Sequence, residues 1–420
     1  MFSKETKGAL VINIKNIKQI LCDTSYERIA GTDNEHKCAY YLAEKCKALG
    51  FEAVLEPFNI RMYKQEYAKL VIDGEEIECT AFGGTENGTI KGEICVLEGE
   101  DEISLEKCRG KIVLLYKTID IELYEKLCKA KALGFISFNG NVLYDDKDVL
   151  TRGFGNKVEY KNKIPGVNIH LKDAIKIVKS NKTLQVELAI KQTEFIGTSY
   201  NVVVDIPGES QQYVLLSAHY DSTQFSHGAY DNMSSCIGLL HMLEYFKSNS
   251  HKTGIKLLFC GSEEIGLVGS RVYCRDHKDE LSKIVLNINL DMLGCFMGRF
   301  TAFSCIDEKT EAFLKTFAKD NDYPCETRHA IRSSDQNSFL SNNVKAVSFA
   351  RYPAGDTAVI HTRYDTIKVI DEMQLLNDID YVAKFVQFAT NSPEFFDELE
   401  ISEKIRTDVQ ASINKQRDLI

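Results

Sequence analysis

Five short segments of this chain carry side chains that can hold a divalent metal. They are His219 and Asp221 in AHYDS, Asp231 in GAYDN, Glu263 and Glu264 in FCGSEEIGLVGS, Asp291 in NLDMLG, and His361 in IHTRYDT. Two histidines with three carboxylates form a mixed nitrogen and oxygen donor set, which suits zinc better than magnesium or calcium. A single catalytic zinc keeps a coordination position open, so five donors exceed its needs. They suit two metals that share a bridging carboxylate and a water nucleophile. Asp221, two residues past His219, fits the carboxylate that fixes an imidazole's orientation.

Each residue alone has an ordinary explanation. A histidine after a strand is usually a hydrogen-bonded structural residue. Asp231 could cap a helix, the Glu pair could be solvated surface favoured by a helix start, and Asp291 could sit in a turn. The apolar flanks of FCGSEEIGLVGS change the balance. They bury two adjacent carboxylates that need compensating positive charge, and the motif contains no Lys or Arg. A divalent metal is the economical source of that charge.

The elements around these residues read as an α/β sheet. Beyond Tyr200, strands are expected in NVVVDIPG (201–208), YVLLSA (213–218), IKLLFC (255–260), IVLNINL (284–290) and KAVSFA (345–350), with a helix over 234–247. Each candidate segment follows one of these strands or opens a helix, and functional groups of open α/β sheets gather beyond the strands' carboxyl ends. Residues 34–50 read as a helix stopped by Gly50, and 51–60 as a strand. From 62 to 185 the texture changes. KIVLLY, IELYEKLCKAKALG and FISFNG form a strand–helix–strand unit, a further strand and helix follow, and no His, Asp and Glu gather at strand ends. The expected organisation is a catalytic domain in two parts, 1–61 and 186–400, an insertion over 62–185, and a polar helical, solvated tail over 401–420.

Bulk properties narrow the class. A chain of 420 residues, 44% hydrophobic and 27% charged, is globular and too long for one small core. The net charge of -10 argues against nucleic acid or an anionic membrane as partner. The first 21 residues read as an amphipathic helix and not a secretory signal, and no run reaches the ~18 apolar residues of a membrane span. Thirteen cysteines, none spaced C-x-x-C, point to free thiols in a reducing, cytoplasmic compartment.

Taken together, AHYDS, GAYDN, SEEIGLVGS, NLDMLG and HTRYDT closely resemble the co-catalytic zinc aminopeptidases of metallopeptidase family 28, over most of residues 20–60 and 195–395. The resemblance implies a mixed central sheet flanked by helices, of the phosphorylase/hydrolase-like type. It implies two zinc ions held by His219, Asp231, Glu264, Asp291 and His361, with Asp231 bridging. Asp221 would orient His219, and Glu263 would be the general base. It also implies a cis Asp231–Asn232 peptide, and segment 62–185 resembles a protease-associated domain. The implied substrates are peptides with a free N-terminus.

Ile360 stands where several relatives place an oxyanion-binding tyrosine, so Tyr352 or Arg351 is the candidate replacement donor. Ser334, Asp335 and Gln336 stand where relatives often read Ser-Asp-His. Met292 and Ile360 suggest an apolar pocket lining, and Tyr352 is a further candidate substrate contact. A dipeptidase or carboxypeptidase would use Arg332, Arg351 or Arg363 on a substrate carboxylate. The same fold also accommodates a one-zinc glutaminyl cyclase or an inactive binding protein, and the sequence leaves oligomeric state open.

Overall fold

The computed structural model describes residues 14–154, 162–180, 182–355, 357–416 and 419–420. Two compact units result: residues 1–60 with 198–419, and residues 61–197. The second unit extends past the limit of 185 expected from sequence texture, because Gln185–Ile206 is one uninterrupted strand. Among the described residues, no helix is long and apolar enough to cross a membrane.

In the unit formed by residues 61–197, Gly88–Val96, Ile112–Leu114, Gly134–Asn139 and Gly166–His170 pair in parallel in that order. Cys79–Ala81 adds an antiparallel edge. Helices Ile121–Lys129 and Leu171–Lys179 complete the unit. Its strands alternate between two apolar clusters, with Val113 and Phe135 in one and Ile112, Leu114, Ile136 and Val167 in the other. Among its described residues there is no group of metal-ligating side chains.

The larger unit is built on β1 (Gln185–Ile206, of which 198–206 belong here), β2 (Tyr213–His219), β3 (Gly254–Cys260), β4 (Ile284–Leu290), β5 (Arg299–Ser304), β6 (Glu326–His329) and β7 (Ala346–Tyr352). Their order across the sheet is β6-β5-β7-β4-β2-β3-β1. Pairs β3/β2, β2/β4, β4/β7 and β5/β6 are parallel, whereas β1/β3 and β5/β7 are antiparallel. This is the expected mixed α/β sheet. The central strands β2 and β4 are buried throughout, which explains why they read as continuous apolar runs.

Helices cover both faces. Val214, Leu216 and Ala218 of β2 point into a large cluster with residues of α1 (Ile14–Asp23), α2 (Asp33–Ala48), α3 (Ser234–Tyr245) and the helix Glu372–Asn391. Tyr213 and Leu215 face the opposite way, towards Tyr273 and Cys274 of α4 (Val268–Asp276) and Phe339 of α5 (Gln336–Leu340). Of the expected N-terminal amphipathic helix, the part from Ile14 is present as α1, and residues 1–13 lie outside the described residues.

The stretch expected to be a solvated tail packs into the core. Helix α6 (Glu403–Ile413) is capped by Ser402, whose backbone N–H donates to Ile306 O at 2.9 Å. Ile401, Ile405 and Val409 are buried against Phe303, Cys305, Leu340, Ala346 and Ala350, with Ile413 partly buried beside them. These apolar residues recur every fourth position, a single stripe on one helix face. The polar residues between them mask that stripe in the sequence. Ile405→Ala is expected to cost about 2–5 kcal/mol, read as a lowered urea midpoint with an unchanged slope. An unaltered midpoint would return this helix to the periphery.

Candidate metal centre

Parallel pairing brings the candidate residues to one edge. Register sets His219 opposite Cys260 and Ser217 opposite Asn289, so β2, β3 and β4 end side by side. His219 is the last residue of β2, Glu263 and Glu264 lie just beyond β3, and Asp291 follows β4 directly. His361 comes from the loop after β7, and Asp231 from the distorted turn Ala229–Met233 that opens α3.

The side chains meet there. His219 Nε2 lies 3.2 Å from Asp231 Oδ1 and 3.8 Å from Asp291 Oδ1. His361 Nε2 lies 3.1 Å from Asp231 Oδ2 and 2.9 Å from Glu264 Oε2. Thus His219, Asp231 and Asp291 form one potential metal-holding group, and Asp231, Glu264 and His361 form another. Asp231 belongs to both, with one carboxyl oxygen turned to each imidazole. A third grouping, His219 with Glu263 and Glu264, adjoins them.

These positions fit zinc. Donors about 2.0–2.2 Å from a tetrahedral zinc stand roughly 3.3–3.6 Å from one another, close to the spacings found. Glu264 Oε1 and Asp291 Oδ1 are buried without a hydrogen-bond partner, which leaves lone pairs for a cation. The mixed nitrogen and oxygen set is of the right chemical kind.

Supporting contacts fix the donors. Asp221 Oδ1 lies 3.4 Å from His219 Nδ1, as expected of an orienting carboxylate. The same carboxylate accepts from the backbone N–H of Glu263 at 3.0 Å and of Glu264 at 3.1 Å, so it holds the His219 ring and both Glu peptides together. Asp365 accepts from Tyr230 N at 2.8 Å and Asp231 N at 3.1 Å. Asn232 donates from Nδ2 to Leu290 O at 3.0 Å and accepts from Met292 N at 2.9 Å, tying the Asp231 turn to the end of β4. The Asp231–Asn232 peptide is cis, as expected. Glu35 of α2 accepts from Ser262 N at 2.9 Å and from Ser199 Oγ at 2.8 Å.

Local backbone conformation is unusual around the donors. Ser262 (φ 57°), Met292 (φ 66°) and His361 (φ 58°) all occupy the left-handed region, which non-glycine residues adopt at a cost and which clusters at functional sites. Gly228 (φ 54°) could not be replaced. A Cβ there would stand 2.6 Å from Arg28 Nη2 and 2.7 Å from Asp231 O.

Burial and neighbouring charge set the protonation of the metal-free site. Burial pushes Glu263 well above the usual carboxylate range, reinforced by Glu264, Asp335 and Asp291 against the pull of His219. Glu264 is pushed up to about 7, first by burial and then by Asp231. Burial also raises Asp335 to about 6 and Asp365 to about 7. Asp231 goes the other way: burial opposes its charge, but the two imidazoles hold it well below the usual range. Partial desolvation disfavours charge on the half-exposed His361, yet Asp231 and Glu264 hold it up to about 11.

Not every residue expected from the sequence lies in the cavity. A space of about 280 Å³ is lined by the donors with Leu267, Met292, Arg332, Ser333, Ile360 and Gln416. Met292 and Ile360 are there, but Tyr352 is not among the lining residues. Its ring packs 5.3 Å from the Arg332 guanidinium and against Phe303, which removes it as a substrate contact. Arg351 is committed to Asp378 at 2.7 Å, so it supplies no oxyanion donor. The sequence suggests for Arg332 only a substrate role. Its Nη1 donates to Asp291 O at 2.7 Å and its Nη2 lies 3.3 Å from Asp291 Oδ2, so part of the positive charge missing from the motif arrives from elsewhere in the chain. Asp365 and Glu35 hold the backbone beside the donors and are missed by sequence reasoning. Asp365 sits in the HTRYDT motif and carries a signal, whereas Glu35 carries none.

The profile of Peptidase family M28 matches residues 201–386. The similarity to Peptidase family M28 is thus carried by the segment 201–386, which holds all of the candidate donors. Aminopeptidase YwaD of Bacillus subtilis (strain 168) is 31% identical over 277 residues, which is 64% of this chain and 58% of that protein. The probable leucine aminopeptidase 2 of Aspergillus oryzae is 27% identical over 277 residues, 64% of this chain and 55% of its own length. The chain therefore spans less than two thirds of the length of these curated relatives. Among solved structures, BSAP, a zinc aminopeptidase from Bacillus subtilis, superposes with TM-score 0.75 at 24% identity, covering 93% of this chain and 98% of that one. The aminopeptidase from Aneurinibacillus sp. strain AM-1 gives TM-score 0.71 at 20% identity, covering 93% and 95%. At such identities these two establish the fold.

Asp365 holds the peptide N–H of Asp231 and, among the described residues, belongs to none of the potential metal-holding groups. Asp365→Ala is expected to weaken zinc binding about 10–100-fold, measured by equilibrium dialysis. Unchanged affinity would mean that Asp231 is positioned without it.

Proposed function

We propose that this chain is a zinc-dependent aminopeptidase that removes N-terminal residues from peptides and uses two zinc ions per chain. The observation that carries the reading is the pair of three-residue donor groups that share Asp231 inside one cavity. Similarity to aminopeptidases in sequence and fold supports it.

When bound, zinc supplies Lewis acidity for the scissile carbonyl and lowers the pKa of water to near neutrality. The rest falls to the protein. Asp231, with one oxygen towards each imidazole, sets the spacing of the two donor groups. Among the described carboxylates that line the cavity, Glu263 is the one that the two-metal assignment leaves uncommitted. It lines the cavity beside the donors, which places its carboxylate to take a proton from attacking water and pass it to the departing amine. Asp221 holds the Glu263 and Glu264 peptides and the His219 ring in one arrangement. Leu267, Met292 and Ile360 offer the substrate an apolar surface.

Other activities fit less well. Glutaminyl cyclase chemistry with one zinc would leave the second donor group without a use. A dipeptidase or carboxypeptidase needs a cation for a substrate carboxylate; Arg332 is engaged by Asp291, Arg351 by Asp378, and the Arg363 guanidinium lies 6.0 Å from the Phe225 ring. An inactive binding protein would have no need of the complete donor set with Glu263. We further read the segment expected over 62–185, which lies in the unit of residues 61–197, as a protease-associated-like insertion. All thirteen cysteines are free thiols, which supports a cytoplasmic setting.

Glu263→Gln is expected to keep both metals, counted by elemental analysis, while turnover of aminoacyl-p-nitroanilides falls at least about 100-fold. Near-normal turnover would remove Glu263 as the base. Glu264→Ala should lose metal together with rate, and full metal stoichiometry would contradict its place as a ligand. N-acetylation of the substrate should abolish cleavage by the wild type. Equal cleavage of blocked and free substrates would sink the aminopeptidase reading.

A further inference from the structure

One wall of the cavity comes from outside the segment that matches the family. The profile match ends at residue 386, yet Gln416 lines the cavity with the metal donors. Gln416 follows α6, and its N–H donates to Ile413 O at 2.9 Å in the turn that ends this helix. The helix is firmly seated. Beyond the buried Ile401, Ile405 and Val409, Asn337 Nδ2 donates to Ser412 Oγ at 3.0 Å and Arg406 Nη1 to Asn343 Oδ1 at 2.6 Å.

The apolar cluster beneath α6 also includes Ala330 and Ile331, which directly precede Arg332 and Ser333. The helix therefore braces the stretch that bears Arg332 and Ser333, and its continuation sets Gln416 in the same cavity. The lining thus combines apolar Leu267, Met292 and Ile360 with polar Arg332, Ser333 and Gln416. Arg332 is occupied by Asp291. At about 280 Å³ the space lies at the small end of the roughly 300–1,000 Å³ of ligand pockets, so the size of the side chains in its wall bears on what fits.

We propose that Gln416 is a specificity-determining residue. Its side chain bounds the space for the substrate's N-terminal side chain, admitting small and medium aliphatic groups and excluding bulky aromatic ones. The proposal rests on the aminopeptidase reading. It assigns selectivity to a helix and turn outside the family segment, whereas the metal donors all lie inside it.

The test compares kcat/KM for the p-nitroanilides of Ala, Leu, Phe and Lys on zinc-loaded wild type, Gln416→Ala and Gln416→Glu, with the unfolding midpoint of each. Gln416→Ala should raise the Phe/Ala ratio about 10-fold or more, the scale on which pocket size discriminates. Gln416→Glu should raise the Lys/Leu ratio, because it adds a negative charge to the wall. A merely structural role would lower all four values by one factor and move the midpoint. Ratios within about twofold of wild type in both variants overturn the proposal, whatever the absolute rates. Failure of the wild type to cleave any of the four overturns the aminopeptidase reading instead, and this assignment with it.

Discussion

Asp231 stands between two imidazoles, one facing each of its carboxyl oxygens, and much of the larger unit is arranged to keep it there. Its backbone is held by Asp365, its neighbour Asn232 is pinned to both sides of Asp291, and Gly228 leaves room for Arg28 behind it. Arg28 in turn is buried and donates to Tyr220 O, Thr24 O and Gly228 O. A guanidinium enclosed in this way acts as a fixed frame for the loops between β2 and α3, because losing any acceptor would leave a buried donor unpaired.

The centre concentrates negative charge where water is scarce. Burial of one unpaired ion costs several kcal/mol, so Asp221, Asp231, Glu263, Glu264 and Asp291 could not share this edge without compensation. Part of it comes from peptide N–H groups on Asp221 and Asp365, and part from Arg332 on Asp291. In the metal-free protein the rest is met by protons on the histidines and on Glu263. A metal bound here would displace those protons, since each donor must give up its proton to bind.

Below the donors, the sheet carries a polar core that extends the same arrangement. Ser217 donates to Asn289 at 2.7 Å, Asn289 to Gln336 at 2.9 Å, and Gln336 to Arg332 O at 2.7 Å. Ser217 is two residues from His219 and Asn289 two from Asp291, so the chain of bonds runs from under the two ligands to the arginine that grips one of them. Hydrogen bonds buried in this way are electrostatically stronger than the same bonds in water. They also link Arg332, and through Asn337 the helix α6, to the strands that deliver the metal donors.

The sequence by itself determined the parts whose signal is local. Apolar runs mark the buried strands β2, β3, β4 and β7, and carboxylates and imidazoles at their ends mark the donors, because strand ends and helix starts are written in a few adjacent residues. The same local signal misleads where a residue's role depends on its partner. Tyr352 and Arg351 look like substrate groups in the sequence, but packing turns one onto Arg332 and the other onto Asp378. Ile401, Ile405 and Val409 look like part of a tail, but a groove beside β5 and β7 gives their stripe something to cover. Only tertiary structure decided that Glu35 holds the Ser262 turn, that Asp365 holds Asp231, that Arg332 reaches Asp291 and that Gln416 enters the cavity. The physical reason is distance along the chain: each of these contacts joins residues far apart in sequence, and neither spacing nor composition records which of many polar residues will face which.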